Sequence, residues 1–211
     1  MSSPVDQNAG PGESSSLTRR IADLRQAIAT SQASLAASRT ILDRVNVAAP
    51  AQRKPTTDEA FAEFSRRLQA NGIRDALAYV AKLSPYRFIG IFRFDDGMAN
   101  AAVHFDCENP DQLSAQEVPD TATYCCYVRD SKGAFTTANA MLDSRLGAHV
   151  AREAVLSYCG IPVMDPEGQL LGTLCHYDLV PRDPESLDLP LLLRVASALE
   201  QSGLVPPYPK P

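Results

Sequence analysis

Hydrophobic positions follow two periods along this chain. Two apolar runs without Lys or Arg, Ser157–Met164 and 169–177, flank Asp165-Pro166-Glu167-Gly168. Those four residues suit a type I turn: Asp first, Pro second with φ preset, and Gly last, where φ is positive. The pattern predicts a hairpin of strands buried on at least one face. A second hairpin is predicted upstream. Over 86–95, Phe88, Gly90, Phe92 and Phe94 alternate with Arg87, Ile89, Ile91 and Arg93; Asp96-Gly97 is the turn and 98–105 the return strand. Helical spacing flanks these hairpins. Thr57 or Asp58 caps a helix to about residue 70 with Ala60, Phe61, Phe64 and Leu68 on one face, ended by Asn71-Gly72 in left-handed geometry. A helix over 73–83 turns Ile73, Leu77 and Val80 inward before Ser84-Pro85. The last, from about 187 to 202, carries Leu189, Leu192, Leu193, Ala196 and Leu199 and stops at Gly203. The stretch between the hairpins is less regular. Residues 107–120 are polar and contain Pro110 and Pro119. Residues 121–128 suit either a helical turn or a strand. Lys132-Gly133 is a turn, 134–140 a short strand, and 143–153 loop with a short helix.

Ahead of these elements, residues 1–15 have a disordered composition, and 16–47 read as one long helix. Leu17, Ile21, Leu24, Ile28, Ser31, Leu35, Ser38, Leu42 and Val45 recur at alternating spacings of four and three, a heptad seam. The seam pairs two chains, or packs the helix on its own domain. A linker over 48–56 holds Pro50 and Pro55, the globular part spans 57–203, and 204–211 is a Pro-rich tail. Strands joined by hairpins, with helices before and after, define an α+β plan: an antiparallel sheet with helices on one face, preceded by the long helix.

Composition narrows the function. The net charge of −5 is uneven: residues 1–56 carry seven Lys/Arg against four Asp/Glu, the rest 13 against 21. An acidic globular part excludes a phosphate-backbone partner, so no nucleic acid is expected. No run reaches the ~18 apolar residues of a membrane span. The N-terminus lacks the basic start and apolar core of a signal peptide, so a cytoplasmic location is expected. The five cysteines, Cys107, Cys125, Cys126, Cys159 and Cys175, have no C-x-x-C spacing and are expected as reduced thiols. No metal site is expected.

Several segments together resemble the GAF domain, a small sensory module. They are Thr123-Tyr124-Cys125, the 135–145 stretch FTTANAMLDSR, Tyr158-Cys159-Gly160-Ile161-Pro162, and Gly172-Thr173-Leu174-Cys175 followed by Asp178, Pro181 and Arg182. The less specific 86–95 strand is similar too, and the resemblance covers about residues 57–203. Ser144 stands where many relatives have Pro, and Leu146 where many have an aromatic. The resemblance implies five to six antiparallel strands with helices on one face. On the other face, loops form a cavity for cyclic nucleotides, bilins, haem or small metabolites. It also implies a regulatory rather than catalytic role, often in a dimer held by flanking helices. For this chain it implies a homodimer that either binds an unidentified small-molecule ligand and signals through a separate protein, or serves as a ligand-free dimerisation scaffold. It names no cofactor.

The candidate ligand-binding residues are Tyr124, Cys125, Asp143, Arg145, His149, Tyr158, Cys175 and Tyr177. Arg145 suits a forked contact with an anion, or an internal pair with Asp143. Arg182 suits a brace at the strand-to-helix corner. Cys125, Cys126, Cys159 and Cys175 are candidates for a redox switch or reductase, or are buried apolar thiols. Counting outward from the turn, Cys159 and Cys175 become cross-strand neighbours if the hairpin holds one bulge. The Gly-Val-Cys-Gly element of the family's methionine sulfoxide reductases is absent. Cys175-His176 follows the strand that a bilin-attaching Cys-His pair precedes.

Overall fold

The computed structural model describes residues 53–205, together with Gln26, Thr30 and Ser34. The heptad positions Leu17, Ile21, Leu24, Ile28, Leu35, Leu42 and Val45 lie outside the described residues, as do the 1–15 tail and 206–211. The chain divides into two units between Arg53 and Lys54, and the second carries the sheet and its helices.

Helix α1, Thr57–Asn71, is capped by Thr56 rather than by Thr57 or Asp58. Thr56 Oγ1 accepts from the Glu59 amide, and Glu59 accepts from the Thr56 amide, so two N–H groups with no partner in the helix are satisfied reciprocally. Gly72, at φ +85 and ψ 178, separates α1 from α2, Ile73–Ala81; its ψ is extended rather than left-handed helical. Ala60, Phe64 and Leu68 of α1 and Ala76, Leu77 and Val80 of α2 are buried.

Strands β1, Phe88–Asp95, and β2, Met98–Asp106, turn at Asp96-Gly97, where φ is +47 and +73 as a type I′ hairpin requires. Strand β3 is the two-residue pair Val118–Pro119, an edge position where the missing Pro N–H is harmless. The ambiguous 121–128 stretch resolves into a 3₁₀ turn over Asp120–Ala122 and helix α3, Cys125–Ser131, ended by Lys132 at φ +50. Strand β4 is Phe135–Thr137. Strands β5, Ser157–Met164, and β6, Leu170–Asp178, make the second hairpin. In its turn the Gly168 amide donates to the Asp165 carbonyl (3.0 Å), and Gly168 sits at φ +77.

The sheet order is β3-β2-β1-β6-β5-β4, antiparallel throughout. Pairing of β1 with β6 joins the two hairpins. Helix α4, Leu189–Ser202, is N-capped by Asp188, which also accepts from the Thr57 hydroxyl (2.7 Å), and ends at Gly203 with φ +64. Its buried face is Leu191, Leu192, Val195, Ala196 and Leu199. Of the expected stripe, Leu192, Ala196 and Leu199 are buried, while Leu189 and Leu193 are exposed and Leu191 and Val195 take their places on the buried face.

The three long helices cover one face of the sheet, where Ile89, Ile91, Val103, Cys159, Ile161 and Leu174 meet Phe64, Leu77, Leu191 and Leu199. A smaller core on the opposite face gathers Phe92, Tyr124, Cys125, Phe135, Leu146, Tyr158 and Cys175. Burial on both sides explains the near-continuous apolar character of β1 and β5. Arg182 braces the corner as expected: it donates to Asp178 (2.7 Å), whose carboxylate also accepts from the Arg87 and Leu179 amides. Arg74 on α2 donates to the Pro110 and Gln112 carbonyls (2.6 and 3.3 Å), pinning the 107–117 loop.

His176 lies in the helix-side layer, 1% exposed, edge-on to Tyr86, with neither ring nitrogen hydrogen-bonded. Burial lowers its pKa from 6.5 to about 4. Between these values the unfolded chain binds a proton that the folded one refuses, so stability is lost as pH falls from 6.5 towards 4. His176→Leu removes this linkage. Urea unfolding across pH should show equal or greater stability than wild type at pH 7, and about 3 kcal/mol less acid loss by pH 4. Identical pH profiles would contradict this account.

Candidate ligand pocket

Alternation along the strands sends Phe92, Tyr158, Cys175 and Tyr177 to the face away from the long helices. Loop residues Ala115, Gln116 and Val118, the segment Ala122-Thr123-Tyr124-Cys125, and Ala151 and Val155 close over them. Together they line a partly open cavity of about 230 Å³.

Its walls are rings held by their neighbours. Tyr177 stacks on Phe88 (4.6 Å between centroids), and its hydroxyl shares a 2.8 Å hydrogen bond with His104 Nε2. Burial pushes the His104 pKa down and that of Tyr177 well up, so both are neutral at pH 7. The Tyr124 hydroxyl donates to the Val155 carbonyl (3.0 Å), its ring stands edge-on to Tyr158, and burial raises its pKa to about 12. Tyr158 leans along its own strand over Gly160: a Cβ at Gly160 would lie 2.1 Å from the Tyr158 hydroxyl oxygen. The missing methyl thus lets the phenol reach Cys125, to whose Sγ it donates at 3.2 Å. No residue lining the cavity is Asp, Glu, Lys, Arg or His.

Five of the sequence candidates, Tyr124, Cys125, Tyr158, Cys175 and Tyr177, meet in this lining; Asp143, Arg145 and His149 do not. The Arg145 guanidinium forks onto Asp143 (2.9 and 2.6 Å), donates to the Thr136 carbonyl (2.6 Å) and covers the Phe135 ring at 4.6 Å. That pairing holds the Asp143 carboxyl well below its usual range. His149 packs on Tyr124 (4.7 Å), accepts from the Ala151 amide (3.1 Å) and presents Nε2 to Cys126 Sγ at 3.9 Å. The Asp143-to-His149 turn therefore buttresses the pocket from behind. Leu146, in the place of the aromatic many relatives have, is fully buried in the pocket-side core.

The cysteines separate by face. The β5/β6 bulge between Val163 and Met164 moves the register away from a Cys159–Cys175 pair: Cys159 faces His176 and Gly160 faces Cys175. Cys159 is on the helix side, where burial lifts its pKa to about 11. Cys175 instead meets Cys125, Sγ to Sγ at 3.9 Å. Sequence reasoning missed Phe92, Gln116 and Thr123 as lining residues. The strand alternation carried a signal for Phe92 and the Thr123-Tyr124-Cys125 motif one for Thr123; Gln116 carried none. Among the described residues, no three His, Cys, Asp or Glu converge on a metal position, and no helix is long and apolar enough to cross a membrane.

The family model for the GAF domain matches residues 73–202, so the chain belongs to the GAF family. Its structure is similar to the GAF domain of an Acinetobacter phosphoenolpyruvate-protein phosphotransferase (14% identity, TM-score 0.56, covering 71% of this chain and 92% of that one). It is similar as well to a free methionine-R-sulfoxide reductase from Neisseria meningitidis (14%, 0.56, 72% and 91%). A phycoerythrobilin-bound GAF domain of a cyanobacterial phytochrome matches at 16% and 0.54, covering 71% and 97%. These likenesses establish the fold. A cyclic di-GMP phosphodiesterase from Pseudomonas aeruginosa is 36% identical over 75 residues, which is 34% of this chain and 13% of that protein.

The Tyr158–Gly160 contact makes a direct prediction. Gly160→Ala forces the phenol out of its place and should cost about 1–3 kcal/mol in urea unfolding. In a Tyr158→Ala background the same change should cost close to nothing, giving a coupling of similar size in the double-mutant cycle. Additive costs would show that the ring does not occupy the space over Gly160.

Proposed function

We propose that this GAF domain is a cytoplasmic sensory module, regulatory rather than catalytic, whose pocket takes a small, uncharged, planar organic molecule. The observation that carries this reading is the lining itself: four rings, two thiols and no charged side chain around about 230 Å³. That volume lies below the roughly 300–1,000 Å³ of pockets for drug-sized ligands. It favours a metabolite of one or two rings over a bilin or haem. An anionic ligand, including the cyclic dinucleotide named for the P. aeruginosa relative, would lose its hydration without gaining a cation. Gln116 and Thr123 supply the polar groups that would orient a neutral ring.

A ligand preferring one state of the 115–118 wall biases the domain towards that state. The output passes to a separate signalling protein, and the heptad seam over residues 16–47 pairs two chains. Support for the pairing is the spacing of Leu17, Ile21, Leu24, Ile28, Leu35, Leu42 and Val45.

A thermal-shift panel of neutral heteroaromatics and of anionic nucleotides tests the pocket. A true ligand at a hundred times its Kd adds about 2.7 kcal/mol, or roughly 5–10 °C in Tm. The shift should come from the neutral set and vanish in Ala122→Trp, which fills the cavity. Shifts from the nucleotides alone, or shifts that survive Ala122→Trp, would overturn the reading. Pairing is tested separately by light scattering: the full chain should have twice the monomer mass, and a chain lacking residues 1–47 the monomer mass. A truncated chain that remains dimeric would sink the seam's role.

A further inference from the structure

Cys125 opens α3 and Cys175 sits mid-strand in β6; both belong to the cavity lining, with each residue only 1% exposed. Their sulfurs are 3.9 Å apart with no side chain between them. The Tyr158 hydroxyl donates to Cys125 Sγ at 3.2 Å, and the space over Gly160 holds that phenol in place. The Tyr158 hydroxyl thus donates to the Cys125 sulfur, which is itself in contact with the Cys175 sulfur. Burial opposes ionising either thiol. At Cys125 the hydrogen bonds of Cys175, Thr123 and Tyr158 outweigh burial and lower the pKa, while Cys175 is pushed well up. The Tyr158 donor, aimed at Cys125 and not at Cys175, marks Cys125 as the sulfur better placed to carry negative charge.

The other three cysteines are placed differently. Cys126 points to His149, behind the pocket wall. Cys159 is on the opposite face of the sheet, and Cys107 is half-buried beside the Tyr86 carbonyl. One thiol pair alone combines proximity, a donor aimed at one sulfur and a place in the cavity lining.

We propose that Cys125 and Cys175 are a reactive dithiol that reduces a small hydroperoxide entering the cavity and closes to a disulfide between α3 and β6. The Cys125 thiolate attacks the terminal peroxide oxygen. An S–O bond forms, the O–O bond breaks, and the departing alkoxide takes up the proton released by Cys125 and leaves as the alcohol. The Cys175 thiol then attacks the Cys125 sulfenic acid. The S–S bond forms, the S–O bond breaks, and hydroxide leaves with the Cys175 proton as water. Two thiols are oxidised by two electrons and one peroxide is reduced. Closure takes the sulfurs from 3.9 Å to about 2.05 Å, drawing the start of α3 onto β6 and shrinking the cavity. The step requires no resident ligand and stands independently of the pocket's ligand class.

The test is thiol mapping by mass spectrometry on the full chain, before and after mild hydrogen peroxide, with alkylation under denaturing conditions. The five free thiols should fall to three, with a Cys125–Cys175 linked peptide that dithiothreitol reverses. Cys175→Ser should instead accumulate a dimedone-trapped sulfenic acid at Cys125, and Cys125→Ser should show neither product. Cys126→Ser should behave as wild type. Five unreacted thiols in the wild-type chain, or a disulfide through Cys126 or Cys159, would overturn the proposal. The wild-type map decides this even where a variant fails to fold.

Discussion

Strand β1 lies against β6 although about half of the domain separates them in sequence, and the rest of the structure depends on that pairing. Each hairpin alone is a two-stranded ribbon with an apolar face on either side, marginal in water. Side by side they become the centre of a six-stranded sheet, broad enough for α1, α2 and α4 to cover one face and for loops to cover the other. The register of the pair also decides which residues share a face. Phe88 opposite Tyr177 and Gly90 opposite Cys175 set rings and sulfur on the pocket side; Ile89 and Ile91 go to the helix side.

The two faces are closed by different means, and their chemistry differs accordingly. Regular helices seal the first with interdigitating side chains, leaving His176 and Cys159 buried. The second is covered by short, irregular segments that cannot pack as densely, and the space they leave is the cavity. Its ring walls are positioned by contacts outside it: His104 behind Tyr177, the Val155 carbonyl behind Tyr124, and His149 against Tyr124. Charge is kept to the periphery, where Arg145 is spent on Asp143, Thr136 and Phe135.

Both hairpins, the order of elements and the family were legible because strand period, Asp-Gly and Asp-Pro-Glu-Gly turns and the 158–182 motif are local signals. Helix ends were less so. The cap at Thr56 depended on a reciprocal bond with Glu59, and the buried face of α4 on a phase that Leu189 and Leu193 obscure. Tyr124, Cys125, Tyr158, Cys175 and Tyr177 were legible as site residues because motif and strand parity place them together. Arg145 and Asp143 drew attention through their charge, which their mutual pairing consumes. A bulge in the β5/β6 hairpin was expected to bring Cys159 and Cys175 opposite each other; the one at Val163/Met164 does the reverse. One extra residue there sends Cys159 and Cys175 to opposite faces, and a bulge has no compositional signature of its own.

Arg74 belongs to α2, in the helix layer, yet its guanidinium reaches the Pro110 and Gln112 carbonyls of the loop that runs on to Ala115, Gln116 and Val118. The loop is also tied to the sheet through the Arg87–Glu108 ion pair, the Asn109 and Glu108 bonds to Asp106 and the short β3 ladder. Arg74 adds a tie from the helix layer to the loop. Any inward draw of the pocket wall is a pull on α2, transmitted around the edge of the sheet rather than through its dense centre, so a rigid core and a responsive rim coexist in one small domain.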